Sequence, residues 1–104
     1  MLPGIKKHSR IKRGRLEKFE DLPEFAKNNF ILIKKDLIAL LGKEVKLSVY
    51  GSFHWGDWCE DSDYDVVVNE KFEFDILVRK MREINKIKVD FFIFENSDGF
   101  ISIP

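Results

Sequence analysis

The sequence predicts an α/β (α+β) domain in which helices pack on a small mixed β-sheet. Two short β-branched runs, residues 45–50 (VKLSVY) and 64–68 (YDVVV), flank a loop of glycine, tryptophan and acidic residues. A third apolar run, KVDFFIF, follows near the C-terminus, and two stretches of helical periodicity lie before the first run and between the second and third. Strands alternating with helices in a chain this short favour one sheet covered by helices.

Taken in order, residues 1–18 hold seven Lys or Arg against Glu17, a balance of +6 that the remaining residues cancel. With two glycines, one proline and no sustained period, they read as a basic, mobile or loosely docked arm, leaving residues 19–104 as the domain. Asp21 with Glu24, and Pro23 between them, predicts a capped helix start. Phe25, Phe30, Ile33, Leu37, Leu40 and Leu41 supply its apolar stripe, and Gly42 ends it. A strand over 45–50, a loop and a strand over 64–68 follow. Phe74, Leu77, Val78, Met81 and Ile84 predict a second helix near 72–85, with Asn85 as its left-handed stop. In the last strand, 87–94, Ile87, Val89, Phe91 and Ile93 take one face while Lys88, Asp90, Phe92 and Phe94 take the other. Asp98-Gly99 signals a turn, and the short FISI after it suits a sheet edge or a partner.

Composition bounds the function. A chain of 104 residues with 44% hydrophobic content and ten Phe can bury roughly 60–70% of its unfolded surface as one domain. Its single cysteine excludes an internal disulfide framework and a Cys-based zinc site, and fits a reducing, cytoplasmic setting. No apolar run approaches the ~18 residues of a membrane span, and the basic N-terminus lacks the apolar segment of a secretory signal. A soluble protein is expected.

The chemistry concentrates in GSFHWGDWCEDSDYD, residues 51–65. On a strand Asp63 and Asp65 share a face about 6.6 Å apart, with Tyr64 pointing away. Two carboxylates so placed repel one another unless a cation joins them, and oxygen donors suit Mg²⁺. Asp90 interrupts an apolar strand beside Phe92 and Phe94, where a lone acid also needs a cation or hydrogen bonds. Gly51 allows a sharp turn with close approach to phosphate oxygens, Ser52 offers a hydroxyl donor, and the residues after it suit a short helix opening toward an anion. No Gly-Lys-Ser/Thr follows, so this is not a Walker loop. An EF-hand is excluded by Val66 and Phe72 at its sixth and twelfth positions, and a solvated acidic loop leaves Gly51, Ser52 and Asp90 unexplained.

Gly51, Ser52, Gly56, Ser62, Asp63, Asp65 and Asp90 together resemble the signature of the polymerase-beta-like nucleotidyltransferase superfamily, and the chain's length that of its minimal members. The resemblance spans roughly residues 20–95. It implies a polymerase-beta-like fold that transfers a nucleoside monophosphate from ATP or another NTP to a hydroxyl. Asp63, Asp65 and Asp90 would be the catalytic, metal-holding acids for two Mg²⁺ ions, and Gly51, Ser52 and Ser62 would bind the nucleotide. Many minimal members pair with a helical HEPN-type protein, some as toxin–antitoxin modules in which that partner is the acceptor. A homo-oligomer could equally complete the acceptor side. A nucleic-acid contact through the basic arm is a less favoured use of its charge. In one departure His54 and Trp55 stand where many minimal members carry Ala-Arg, removing any phosphate contact of that arginine. The alternative is a catalytically silent binding module on the same fold, an antitoxin-like subunit.

Overall fold

The computed structural model describes residues 14–94 and 99–104. Most of the basic arm, 1–13, lies outside the described residues, as does Asp98 of the expected turn. A single 3₁₀ turn, Phe19–Asp21, leads into helix α1, Glu24–Leu41. Strand β1, Leu47–Tyr50, is followed by a one-turn helix α2, Ser52–Trp55, and strand β2, Tyr64–Val68. Helix α3, Phe74–Asn85, crosses to strand β3, Val89–Ile93, and a two-residue strand β4, Ile101–Ser102, closes the order.

The sheet runs β3-β2-β1-β4. Strand β1 is antiparallel to both β2 and β4, while β2 and β3 are parallel and joined by the α3 crossover. The sheet is therefore mixed, with the FISI segment forming a fourth strand on the β1 edge. Alternation assigns the faces: Leu47, Val49, Tyr64, Val66, Val68, Val89 and Ile101 point into one core with Ala26, Phe30, Ile33 and Leu37 of α1 and Leu77 and Met81 of α3. Both long helices cover this face.

Three local expectations change. Asp21 does not cap α1, whose N-cap is Pro23; its carboxylate instead accepts the Lys18 backbone N–H at 3.2 Å and closes the 3₁₀ turn. The buried stripe of α1 is Ala26, Phe30, Ile33 and Leu37, with Phe25 37% exposed on its flank. Ile84 faces solvent, and the left-handed residue after α3 is Lys86 (φ 63°) in place of Asn85. Asn85 ends the helix through its side chain, which donates to Asp36 Oδ2 (2.8 Å) and accepts the Ile87 N–H (3.0 Å). A lysine in that conformation costs roughly 1–2 kcal/mol that a glycine would not. Gly42 (φ 71°) ends α1 as the sequence predicts.

Candidate active site

Because β1 runs against β2 and β3 runs with it, the C-terminal end of β1 meets the N-terminal ends of β2 and β3 at one edge of the sheet. There Tyr50 pairs with Asp65, and Asp65 pairs with Asp90. Cross-strand partners share a face, so Asp65 and Asp90 stand side by side, about 5 Å apart at the backbone, on the face without long helices. Asp63 precedes the first residue of β2 and is exposed. All three form one electrostatic group. Burial, then Asp90, then Asp63 push the Asp65 carboxyl up from 3.8 to about 6.

Gly51 is interlocked with this group. Its backbone (φ 68°, ψ −147°) is essentially reserved for glycine, and a Cβ there would fall on the Asp65 carboxylate. The turn therefore brings the Gly-Ser backbone against the central acid. Its carbonyl accepts the N–H groups of His54 (3.0 Å) and Trp55 (3.1 Å), which starts α2, and Ser52 opens that helix.

An aromatic column fixes the helix to the sheet. Phe53, fully buried, lies between Trp58 and Tyr64, stacked on both at 5.7 and 5.0 Å, with the edge of Phe30 against it at 5.5 Å. Asn29 Nδ2 donates to the Tyr64 hydroxyl at 2.8 Å, and burial raises the phenol above its ordinary value. Phe53 is a positioning residue that the motif reading passes over. Its signal was available, since an apolar residue directly after Gly-Ser needs a buried destination.

The described end of the basic arm is strapped across the same loop. Leu16 N–H donates to the His54 carbonyl (3.1 Å), and Gly56 has no room for a Cβ because the Gly14 carbonyl occupies that space. Arg15 donates to the Gly99 carbonyl (3.0 Å) and lies 6.0 Å over the Trp55 ring. His54 is 1% exposed with Nδ1 unpartnered among the described residues, and burial and then Arg15 lower its pKa, which favours the neutral imidazole.

Ser62 belongs to a neighbouring turn. Its Oγ accepts the Cys59 N–H (2.8 Å), its N–H donates to the Cys59 carbonyl, and the Cys59 thiol donates to Asp61 Oδ1 (2.8 Å). The structure thus joins Gly51 to Asp65 in contact, Asp65 to Asp90 by register and Asp63 to Asp65 by charge. Ser62 it puts in the turn that delivers Asp63.

The donor set at the edge, carboxylates with raised mutual repulsion, fits a hard divalent cation. Among the described residues no group of three or more His, Cys, Asp or Glu already has the geometry of a metal site. Asp65 and Asp90 supply the adjacent pair, and Asp63 the third acid at the open end.

Fold and edge define the class: a small mixed-sheet α+β domain whose acids gather at the strand edge behind a glycine turn. The family model describing the nucleotidyltransferase domain matches residues 31–99, which include β1, the motif loop and all three acids, and the chain belongs to that family. None of the curated proteins and none of the solved structures compared matches it. Among the described residues no helix is long and apolar enough to cross a membrane.

Proposed function

We propose that the protein transfers a nucleoside monophosphate from an NTP, ATP first among them, to a hydroxyl acceptor in a Mg²⁺-dependent reaction. The interlock of Gly51 with Asp65 beside Asp90 carries this reading, because it sets a phosphate-compatible turn directly against paired carboxylates. Asp63, Asp65 and Asp90 would hold two Mg²⁺ ions, which supply charge neutralisation for the triphosphate and for the reacting phosphorus. Gly51 and Ser52 cradle the outer phosphates from the β1 side, and Asp90, on the far strand, faces the incoming hydroxyl. The acceptor oxygen bonds to the α-phosphorus while the bond from that phosphorus to the bridging oxygen breaks. Pyrophosphate leaves with the electron pair, and Asp90 takes the hydroxyl proton. The resemblance to minimal members favours a HEPN-type helical partner on the acceptor side, as acceptor or as the chain that completes the groove, with a second copy of this chain in the same role otherwise.

A silent binding module on the same fold is the second reading, and Trp55 in place of an arginine favours it. Thermal unfolding with Mg²⁺ and a non-hydrolysable ATP analogue separates a working nucleotide site from a relic. At ligand about tenfold above its dissociation constant, linkage adds roughly 1.4 kcal/mol and raises the midpoint by about 6–11 °C. Either component alone should do much less. No joint shift at saturating analogue would leave the silent module as the better reading, and pyrophosphate release with candidate acceptors then measures turnover.

A further inference from the structure

The face of the sheet that carries the acids has a second polar patch toward its other end. Along β1, Lys46 and Ser48 fall on the same side as Tyr50, and along β2, Asn69 falls on the same side as Asp65. Ser48 is paired with Val67 of β2 on one side and with Ser102 of β4 on the other. Together these residues line a cavity of about 120 Å³, and Lys34 of α1 is part of its wall. Ser48 stands two residues before Tyr50, roughly 7 Å along the strand from the level of Asp65. At that level Tyr50 packs against Phe92, Phe94 and Phe100.

Every polar side chain in the cavity wall can donate a hydrogen bond, and no acidic side chain lines it. Among the described residues Lys46, Ser48, Asn69 and Ser102 make no side-chain hydrogen bond or ion pair. Lys34 spends one of its three ammonium protons, on the Ile103 carbonyl at 3.0 Å. The nearby acids lie elsewhere. Glu70 is held by Lys43 at 2.7 Å, and Glu44 lines an adjoining groove with Lys34, Lys35 and Pro104, without an ion pair to either lysine. Ser48 is 7% exposed, and a hydroxyl buried to that extent without a partner is costly. Val67, its partner at 1% exposure, shows that an apolar side chain fits at the same level of this face. A serine there points to a ligand that takes up its hydroxyl.

We propose that this cavity binds a phosphate group, held by the ammoniums of Lys34 and Lys46, the hydroxyls of Ser48 and Ser102 and the amide of Asn69. The donors come from three strands and from α1, so they approach from several directions. A planar carboxylate accepts within one plane, whereas a tetrahedral oxyanion presents oxygens on all sides. The lysines serve as point charges. A cavity of this volume is smaller than one that takes a benzene ring, so it admits a phosphate but not a nucleoside. The ligand is therefore inorganic phosphate or the terminal phosphate of a molecule whose remainder stays outside. The site is separate from the Gly51–Ser52 turn and does not depend on the transfer reading. When filled it joins α1 and β4 to the two strands that carry Tyr50 and Asp65.

The test titrates the full, isotope-labelled chain with inorganic phosphate in the presence of a chelator and at constant ionic strength, read by backbone amide NMR shifts. Saturable shifts are expected at Ser48, Asn69 and Ser102, and smaller ones at Gly51 and Ser52. Lys46→Gln, at an exposed position, should raise the dissociation constant about tenfold, and Ser48→Ala about threefold. Lys35→Gln, in the adjoining groove, should leave it unchanged. Glycerol phosphate in a parallel arm separates the two sources. Equal affinity assigns the site to phosphate monoesters, and binding of inorganic phosphate alone assigns it to the free ion; either result supports the cavity. Shifts that grow linearly without saturating overturn the proposal, as do shifts centred on Gly51 and Ser52. An affinity unchanged in both Lys46→Gln and Ser48→Ala overturns it as well.

Discussion

On the helix-covered face of the sheet Leu47, Val49, Val66, Val68 and Val89 are at most 2% exposed, whereas on the opposite face the same strands carry Tyr50, Asp65, Asp90 and Phe92. The period of two ties the faces together. A slip of one residue would turn the valines to solvent and the carboxylates into the core, so the apolar set fixes the register in which Asp65 meets Asp90. Placement of the acids is thus a consequence of core burial, while their chemistry depends on groups outside that core. Stability and nucleotide binding should separate along the same line.

The largest expected effect is on the covered side. Phe30→Ala removes a fully buried ring that meets Phe53 and Tyr64, and should cost about 3–5 kcal/mol in denaturant unfolding. Whatever fraction remains folded should keep its Mg²⁺-dependent nucleotide binding. A loss below about 1 kcal/mol would show that the Phe30 ring holds neither α1 nor the Phe53 and Tyr64 rings in place.

Gly51→Ala crosses the line between the faces. The new Cβ would displace the Asp65 carboxylate and enforce a backbone conformation that alanine avoids, costing on the order of 2–3 kcal/mol. Nucleotide binding should vanish as well. An alanine variant that melts like the wild type would mean that the turn relaxes and that Gly51 and Asp65 are not coupled.

Much of this was legible in the sequence, because it is written with local period. The strands at 64–68 and near 89–93, the stop at Gly42, the face of Asp90 and the short helix after Ser52 all follow from alternation or from a single residue's backbone preference. What was not legible depends on distant partners. Asn85 ends α3 through Asp36, 49 residues away, and so yields the left-handed position to Lys86. Arg15 reaches Gly99 across 84 residues, from a segment with no period at all. Phe53 was hidden by its neighbours in the motif, although its apolar side chain could be satisfied only by burial.

Asp65→Asn tests the open side at a smaller scale. The folded-state value of about 6 lies above 3.8, so the native state holds this proton more tightly than the unfolded chain. Its contribution to stability is therefore present below about pH 4, falls as the pH rises to about 6, and stays lost above that. Discounted for the solvent that still reaches this half-buried group, Asn should stabilise the metal-free protein at neutral pH by about 1 kcal/mol and do nothing at about pH 4. Paired melting curves at the two pH values read the difference directly. The variant should also lose the joint shift with Mg²⁺ and nucleotide, and the wild type's shift should weaken below about pH 6 as Asp65 takes up its proton. A variant equally stable at both pH values, with the shift intact, would detach Asp65 from the site.

The smallest expected effect concerns the strap. Arg15→Ala removes an exposed hydrogen bond to Gly99 and the cation over Trp55, together about 0.5–1 kcal/mol, since both are open to water. Its functional cost should be larger in proportion, because Arg15 and Leu16 are tied to the loop that begins at Gly51, Leu16 through the His54 carbonyl and Arg15 over the Trp55 ring. Nucleotide affinity should fall a few-fold, and Trp55, about half exposed, should report the change by intrinsic fluorescence. Arg15→Lys should restore less than half of the loss, since an ammonium lacks the planar fork that reaches a carbonyl while lying over a ring. Full rescue by lysine would mean that Arg15 acts through charge alone. If alanine leaves affinity unchanged while lowering stability, the strap belongs with the covered face, as packing, and the site is held by the Phe53 column without it.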